Sequence, residues 1–200
     1  MNRSSSGASG VPARRLVLVR HSIPEILPDR AAAEWRLSAP GLERAREFAG
    51  LLDPGTAPAV FSSREPKAAE TARALSEVWS VPHEIRSNLH EHERPLARMF
   101  PREVFEARVK ALFERPSEVV FGVESAAQAR QRFTQAIMRL VAETRGDVVA
   151  VSHGTVMALF VAEVTGAEPF AFWKRLEMPC AVVLSLPDLA LRGGILRLPS

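Results

Sequence analysis

Apolar residues follow two alternating rhythms along this chain. Short unbroken apolar runs, bounded by turn residues, read as buried strands: "RLVLVR" (15–20), "PAVFSS" (58–63), "DVVAVS" (147–152) and "CAVVLSL" (180–186), with "GILRLP" (194–199) a weaker candidate. Between them the apolar positions recur at helical spacing. "SAPGLERAREFAGLL" (38–52) predicts a helix with Ser38 as cap and Leu42, Ala45, Ala49 and Leu52 along one face. A second helix begins near Pro66, where proline suits the first helical position, and runs through "KAAETARALSEVW". "PREVFEARVKALFE" (101–114), "SAAQARQRFTQAIMRLVAET" (125–144) and "GTVMALFVAEVTG" (154–166) read as three more. Residues 22–39 form a polar loop with prolines and Trp35, and residues 83–100 read as irregular and charged. Strand-to-helix alternation of this kind predicts an α/β domain with a mostly parallel central sheet between helices, a three-layer α/β/α sandwich. The Ser/Gly-rich stretch 1–13 reads as a disordered tail and 14–200 as the folded domain. Within it, 86–125 is expected to be a small inserted cap near the strand ends.

Length and composition narrow the class. Two hundred residues with 46% hydrophobic content fit one domain with a sizeable core. The formal net charge is only +3, an excess that suits a small anionic substrate as well as a nucleic acid. No basic run interleaved with aromatics occurs and tyrosine is absent, so no nucleic-acid partner is expected. The most apolar region, "VVAVSHGTVMALFVAEV", is broken by His153, Gly154 and Glu163, and no membrane association is expected. Cys180 is the single cysteine and lies in an apolar run, which suggests a core residue in a reducing, cytoplasmic compartment.

The chemistry gathers where the strands end. The first predicted strand finishes in Arg20 and His21, the second leads to Arg64 and Lys67, and the next ends at His153. In open α/β sheets ligands bind beyond the carboxyl ends of parallel strands, where helix N-termini add donors for an anion. Two histidines and two or three fixed cations suit a phosphoryl group, whose charge must be balanced both when bound and in transfer. No phosphate loop, dinucleotide fingerprint or His-Glu-x-x-His motif is present. A histidine nucleophile attacks phosphorus without a metal, and neither a metal nor a cofactor is expected. His90 and His92 stand at His-x-His spacing, but no further ligand cluster accompanies them, and a solvated polar loop is the better reading. Trp35, Met99, Phe100 and Trp173 are core candidates, those in loops being potential pocket walls.

At these residues the chain resembles the histidine phosphatase superfamily, on its phosphoglycerate-mutase-like branch. "LVRHS" is similar to the Leu-x-Arg-His-Gly signature, which makes His21 the implied phosphoryl acceptor and Arg20 a phosphate ligand. "VSHGTV" is similar to the second histidine motif and implies a phosphate-binding role for His153. "WRLSAPGLERA" and "FGVESAAQARQRF" resemble segments that open the first and a later helix. Two positions depart from the pattern: Ser22 stands where the family has glycine, and Lys67 where it has arginine. Serine is small and offers a hydroxyl, while lysine offers a point charge without the bidentate fork. Lys67 is the expected phosphate ligand and Arg64 its rival. One branch of the family uses an aspartate after the second histidine as general acid, but here that residue is Gly154. The Leu-x-Glu context of "LHEHER" implies Glu91 instead, with Glu93 an alternative. The resemblance thus implies a metal-independent phosphomonoesterase acting through a phosphohistidine on a small phosphorylated metabolite. A phosphoryl-transferring mutase, or a degenerate module that only holds a phosphorylated ligand, are the alternatives, and a dinuclear metal hydrolase a distant one. Substrate identity and oligomeric state are not legible.

Overall fold

The computed structural model describes residues 14–94 and 100–199. Six strands form one sheet: β1 (Arg15–Arg20), β2 (Val60–Ser62), β3 (His83–Ile85), β4 (Val148–Ser152), β5 (Cys180–Ser185) and β6 (Leu196–Arg197). Their order is β3-β2-β4-β1-β5-β6. β3, β2, β4 and β1 run parallel, and β5 and β6 are antiparallel to their neighbours. The helices are α1 (Ala39–Leu51), α2 (Pro66–Trp79), α3 (Arg102–Glu114), α4 (Ala126–Glu143), α5 (Gly154–Thr165) and α6 (Pro169–Arg175).

Strand alternation divides the core into two layers, one on each face of the sheet. Val17, Val19, Val149 and Val151 face Phe48 and Ala49 of α1 and Ala68, Ala72 and Leu75 of α2. Leu16, Leu18, Val148 and Ala150 face the other way, into a cluster with Phe133 and Ile137 of α4 and Val156, Met157 and Phe160 of α5. β1 is therefore buried on both faces and paired on both edges, which is why it reads as an unbroken apolar run. At its start, the Asp147 carboxylate accepts from the Arg15 amide at 2.7 Å and from the Thr56 amide at 3.2 Å, pinning β1 and β4 in register. The functional end of the sheet lies at the opposite end of these strands.

Helix starts follow their sequence signals. The Ser38 hydroxyl accepts from the Gly41 amide at 3.1 Å, and Ser125 and Gln128 form a reciprocal capping box on α4. Gly41 is required where α1 meets the chain after β1, since a Cβ there would lie 2.0 Å from the Ile23 carbonyl oxygen. On α1, Phe48 is fully buried between the expected face residues, and Leu42 is only half-buried.

Strand β3 and helix α6 escaped the sequence pattern. β3 is a three-residue edge strand with half-exposed residues, so it shows no apolar run, and His83 bonds the Ser62 hydroxyl through Nε2 at 2.7 Å. α6 is a seven-residue helix that opens on Pro169 and is capped by the Glu168 carboxylate. Among the described residues of 86–125 the regular element is α3, whose Val109, Leu112 and Phe113 join the core on the α4–α5 side. Residues 1–13 and Met99 lie outside the described residues. Among the described residues no helix is long and apolar enough to cross a membrane.

Candidate active site

β1 delivers the first pair. The His21 amide donates to the Ser152 carbonyl at 2.9 Å, extending the β1–β4 ladder one residue past Arg20, so both chains turn out of the sheet together. His21 Nδ1 lies 2.7 Å from the Ser22 carbonyl oxygen. A carbonyl only accepts, so Nδ1 carries the proton and Nε2 keeps its lone pair. The His153 ring, at the N-cap of α5, stands 5.1 Å from the His21 ring centre to centre, tilted by 60°. Burial lowers the pKa of both rings well below 6.5, and the neighbouring charges Lys67 and Arg20 add to the effect. Both are neutral near pH 7.

Around them stand buried charges. Arg20 donates from Nη1 to the Leu176 carbonyl, while its Nε is buried without a partner. Lys67 is 5% exposed and donates from Nζ to Glu65 Oε2 at 2.5 Å and to the Ala32 carbonyl at 2.6 Å. The Ser22 amide donates to the Thr71 hydroxyl at 3.0 Å, and that hydroxyl donates to the Lys67 carbonyl at 2.7 Å, tying the β1 end to α2. Ser22 is fully buried with its hydroxyl unpartnered. Arg20 Nε, Ser22 Oγ and both ring nitrogens of His153 are thus orphaned in one neighbourhood. An unsatisfied buried polar group costs about 1–3 kcal/mol, and a bound anion would satisfy several at once.

Glu91 reaches the same place from the loop after β3. Its Oε2 accepts from the Thr155 amide at 3.1 Å, and its Oε1 accepts from the Val156 amide at 3.3 Å and its neighbour His92 at 2.8 Å. The Arg94 guanidinium lies 3.6 Å from Oε2 and donates to the Thr155 hydroxyl at 3.1 Å. Burial alone would raise the Glu91 pKa, but Arg94 and the His92 and Thr155 amides outweigh it and hold the group far below the usual carboxylate range. In the ligand-free site it is a carboxylate. The Thr155 and Val156 amides of α5 are directed at this carboxylate, and the Lys67 amide goes to the Trp35 carbonyl at 3.1 Å. The expectation that helix N-termini offer open donors to an anion is therefore narrowed: the Thr155, Val156 and Lys67 amides are already taken, by Glu91 and by the Trp35 carbonyl.

The loop itself is braced from α4. Arg132 donates to the carbonyls of His90 at 2.8 Å and Glu91 at 2.7 Å, and forks onto Glu124 at 2.6 and 3.0 Å. Glu124 in turn accepts from the Glu93 amide at 2.9 Å. Gly122, at φ +105°, lets the following segment approach, since a Cβ there would sit 2.2 Å from the Glu93 carbonyl oxygen.

The structure thus brings Arg20, His21, Ser22, Lys67, Glu91 and His153 together. Arg64 does not join them: it is exposed, and its charge bears on His90. Glu93 is exposed and contacts His90 at 3.1 Å. The His-x-His pair occupies no strand, and its two rings part ways. His90 pairs with Glu93, while His92 is buried, not solvated as the sequence suggested, with Nε2 on the Glu124 carbonyl at 2.8 Å. Trp35 and Trp173 are half-buried rather than core. Sequence reasoning missed Glu65, Arg94 as a site cation, Thr155 and Arg132. Glu65 carried one signal, its place immediately before the helix-opening Pro66.

With this geometry in place, the comparisons converge. A family model described as histidine phosphatase superfamily (branch 1) matches residues 16–187. The chain belongs to the histidine phosphatase superfamily. It is a phosphatase of that type, on the phosphoglycerate-mutase-like branch. Among solved structures, a mycobacterial glucosyl-3-phosphoglycerate phosphatase bound to VO3 is 21% identical, with a TM-score of 0.75 over 94% of this chain and 100% of that one. A phosphoserine phosphatase from Entamoeba histolytica is 17% identical, with a TM-score of 0.74 over 92% of this chain and 98% of that one. The α-ribazole phosphatase from Shigella flexneri is 22% identical, with a TM-score of 0.68 over 91% and 95%. At these identities the likeness speaks for the fold. No curated protein matches the chain.

Proposed function

We propose that the protein is a metal-independent phosphomonoesterase that works through a phosphohistidine at His21 on a small phosphorylated metabolite. The observation that carries this reading is the His21 ring itself, buried, neutral and held by the Ser22 carbonyl in the tautomer that leaves Nε2 free. Nε2 attacks phosphorus as the bond from phosphorus to the ester oxygen breaks. Arg20 and Lys67 balance the charge on the remaining oxygens, and the neutral His153 ring donates an N–H to one of them. Glu91 delivers a proton to the leaving oxygen, and in the second half of the cycle it takes one from the water that attacks the phosphohistidine. Because Glu91 is ionised in the free site, its proton arrives with the substrate: a monoanionic ester brings both the phosphoryl group and the proton. Gly154 supports this assignment of the acid. A Cβ there would already lie 3.2 Å from the Arg20 guanidinium, leaving little room for an aspartate. That the structural neighbours act on phosphorylated small molecules supports the substrate class.

The test is hydrolysis of p-nitrophenyl phosphate and a panel of phosphorylated metabolites with excess EDTA present. Inorganic phosphate released at the rate seen without chelator is the expected result. Activity that depends on added divalent metal, or an isomerised ester in place of free phosphate, would refute it.

A further inference from the structure

Glu65 is an unexpected group to find in a site built for an anion. It is 6% exposed and occupies the N-cap of α2, yet its carboxylate makes no cap bond. Glu168, at the equivalent place on α6, does cap its helix, accepting from the Phe170 and Ala171 amides. The Glu65 carboxylate turns instead toward the site. Oε2 accepts a hydrogen bond from the Lys67 ammonium at 2.5 Å, and Oε1 accepts from the Glu91 amide at 2.8 Å and stands 3.5 Å from His153 Nε2. One carboxylate thus bonds the expected phosphate ligand and the backbone of the expected acid, and lies beside the second histidine.

We propose that Glu65 is a positioning residue that competes with phosphate for Lys67, so that the site grips the phosphoryl group loosely and releases inorganic phosphate readily. This rests on the reading that Lys67 is a phosphate ligand. An ammonium has three N–H donors. Glu65 and the Ala32 carbonyl take two of them, leaving one for a phosphoryl oxygen. The charge of Lys67 is also largely compensated before any ligand arrives. An arginine at this position would present a fixed fork of donors, and one carboxylate would not occupy them all. The lysine and the buried glutamate therefore act as a unit: the pair aims a single donor and limits its strength.

The experiment measures inhibition by inorganic phosphate and by vanadate, with kcat and KM, for wild type, Glu65→Gln, Lys67→Ala and the double variant. Glutamine keeps an acceptor for the Glu91 amide but turns an NH2 toward Lys67, which frees the ammonium. The expected result is a phosphate Ki at least about tenfold lower in Glu65→Gln, since unit charges at hydrogen-bond distance in a partly buried site interact by more than that. kcat and KM fall together, because product leaves slowly and release does not enter kcat/KM. In the Lys67→Ala background the gain in affinity is lost. Glu65→Asp, which withdraws the carboxylate by one methylene, shifts Ki the same way but less, and covers the case in which the glutamine variant does not fold. A Ki unchanged or raised in the folded variants, or a gain that persists in full without Lys67, overturns the proposal. A wild-type protein that binds neither phosphate nor vanadate defeats the phosphatase reading itself, a separate outcome.

Discussion

Replacing Glu91 by glutamine separates two roles of one side chain. Glu91 receives donors on both oxygens, His92 and Val156 on Oε1 and Thr155 on Oε2, with Arg94 at 3.6 Å. A glutamine carbonyl replaces only one of those oxygens, and its NH2 meets a donor at the other. With the NH2 on the Thr155 side, one charge-assisted bond and the attraction to Arg94 are lost, about 1.5–3 kcal/mol. For a chain of this size that is a fall in Tm of about 3–12 °C. The chemical loss is independent of that and depends on the leaving group. General acid catalysis contributes about 10²–10⁴-fold, and an alkyl phosphate, whose alkoxide leaves poorly, needs nearly all of it. Nitrophenolate departs unprotonated and needs little. Single-turnover phosphorylation rates, measured well below the lowered Tm, should therefore fall by about 10²-fold or more on an alkyl phosphate and by less than about tenfold on p-nitrophenyl phosphate. Equal losses on both esters would refute the acid role and leave Glu91 as a cap for α5 and a partner for Arg94.

Lys67→Ala should weaken inhibition by phosphate and vanadate far more than Arg64→Ala, because Lys67 is buried in the site and Arg64 is exposed; the reverse ranking of Ki values would contradict this. The pH profile of kcat/KM should peak on the acid side of neutrality. Its acid limb is protonation of His21, whose pKa burial and nearby charges push well below 6.5, and its basic limb begins near pH ~6, where the ester loses its second proton; an optimum above pH 7 would contradict the account. Arg132→Ala should cost about 3 kcal/mol in chemical denaturation, since it leaves the nearly buried Glu124 carboxylate without its cation and releases the 88–93 loop. Arg132→Lys should recover only part of it, because the fork onto Glu124 is lost.

The legible parts of this chain are those where one physical demand dominates. β1 and β4 are buried on both faces, so their runs are apolar without interruption, and Ser38, Pro66 and Ser125 mark helix starts through local hydrogen bonding and backbone geometry. β3 and α6 were not legible because an edge strand of three residues and a helix of seven carry too few buried positions for a period to emerge. In the site, His21 and His153 stand out because they interrupt apolar runs. Glu65 and Arg132 do not, since each acts through partners far away in sequence: Glu65 meets Glu91 and His153, and Arg132 meets the 88–93 loop. His92 shows the same limit from the other side, as its burial follows from the Glu124 carbonyl and Phe121, which no spacing in "LHEHER" reveals.

The central claim is that phosphorus is bonded to His21 during turnover. Rapid mixing of the protein with a radiolabelled phosphate ester, followed by denaturation in alkali, should trap a phosphoryl group that is stable to base and lost in acid, located by mass spectrometry on the peptide containing Leu16–Ser22. His153→Ala should still label, slowly, because its nucleophile remains, whereas His21→Ala should not label at all. Wild-type labelling in His21→Ala, or turnover of wild type with no base-stable label at any time point, would contradict the account.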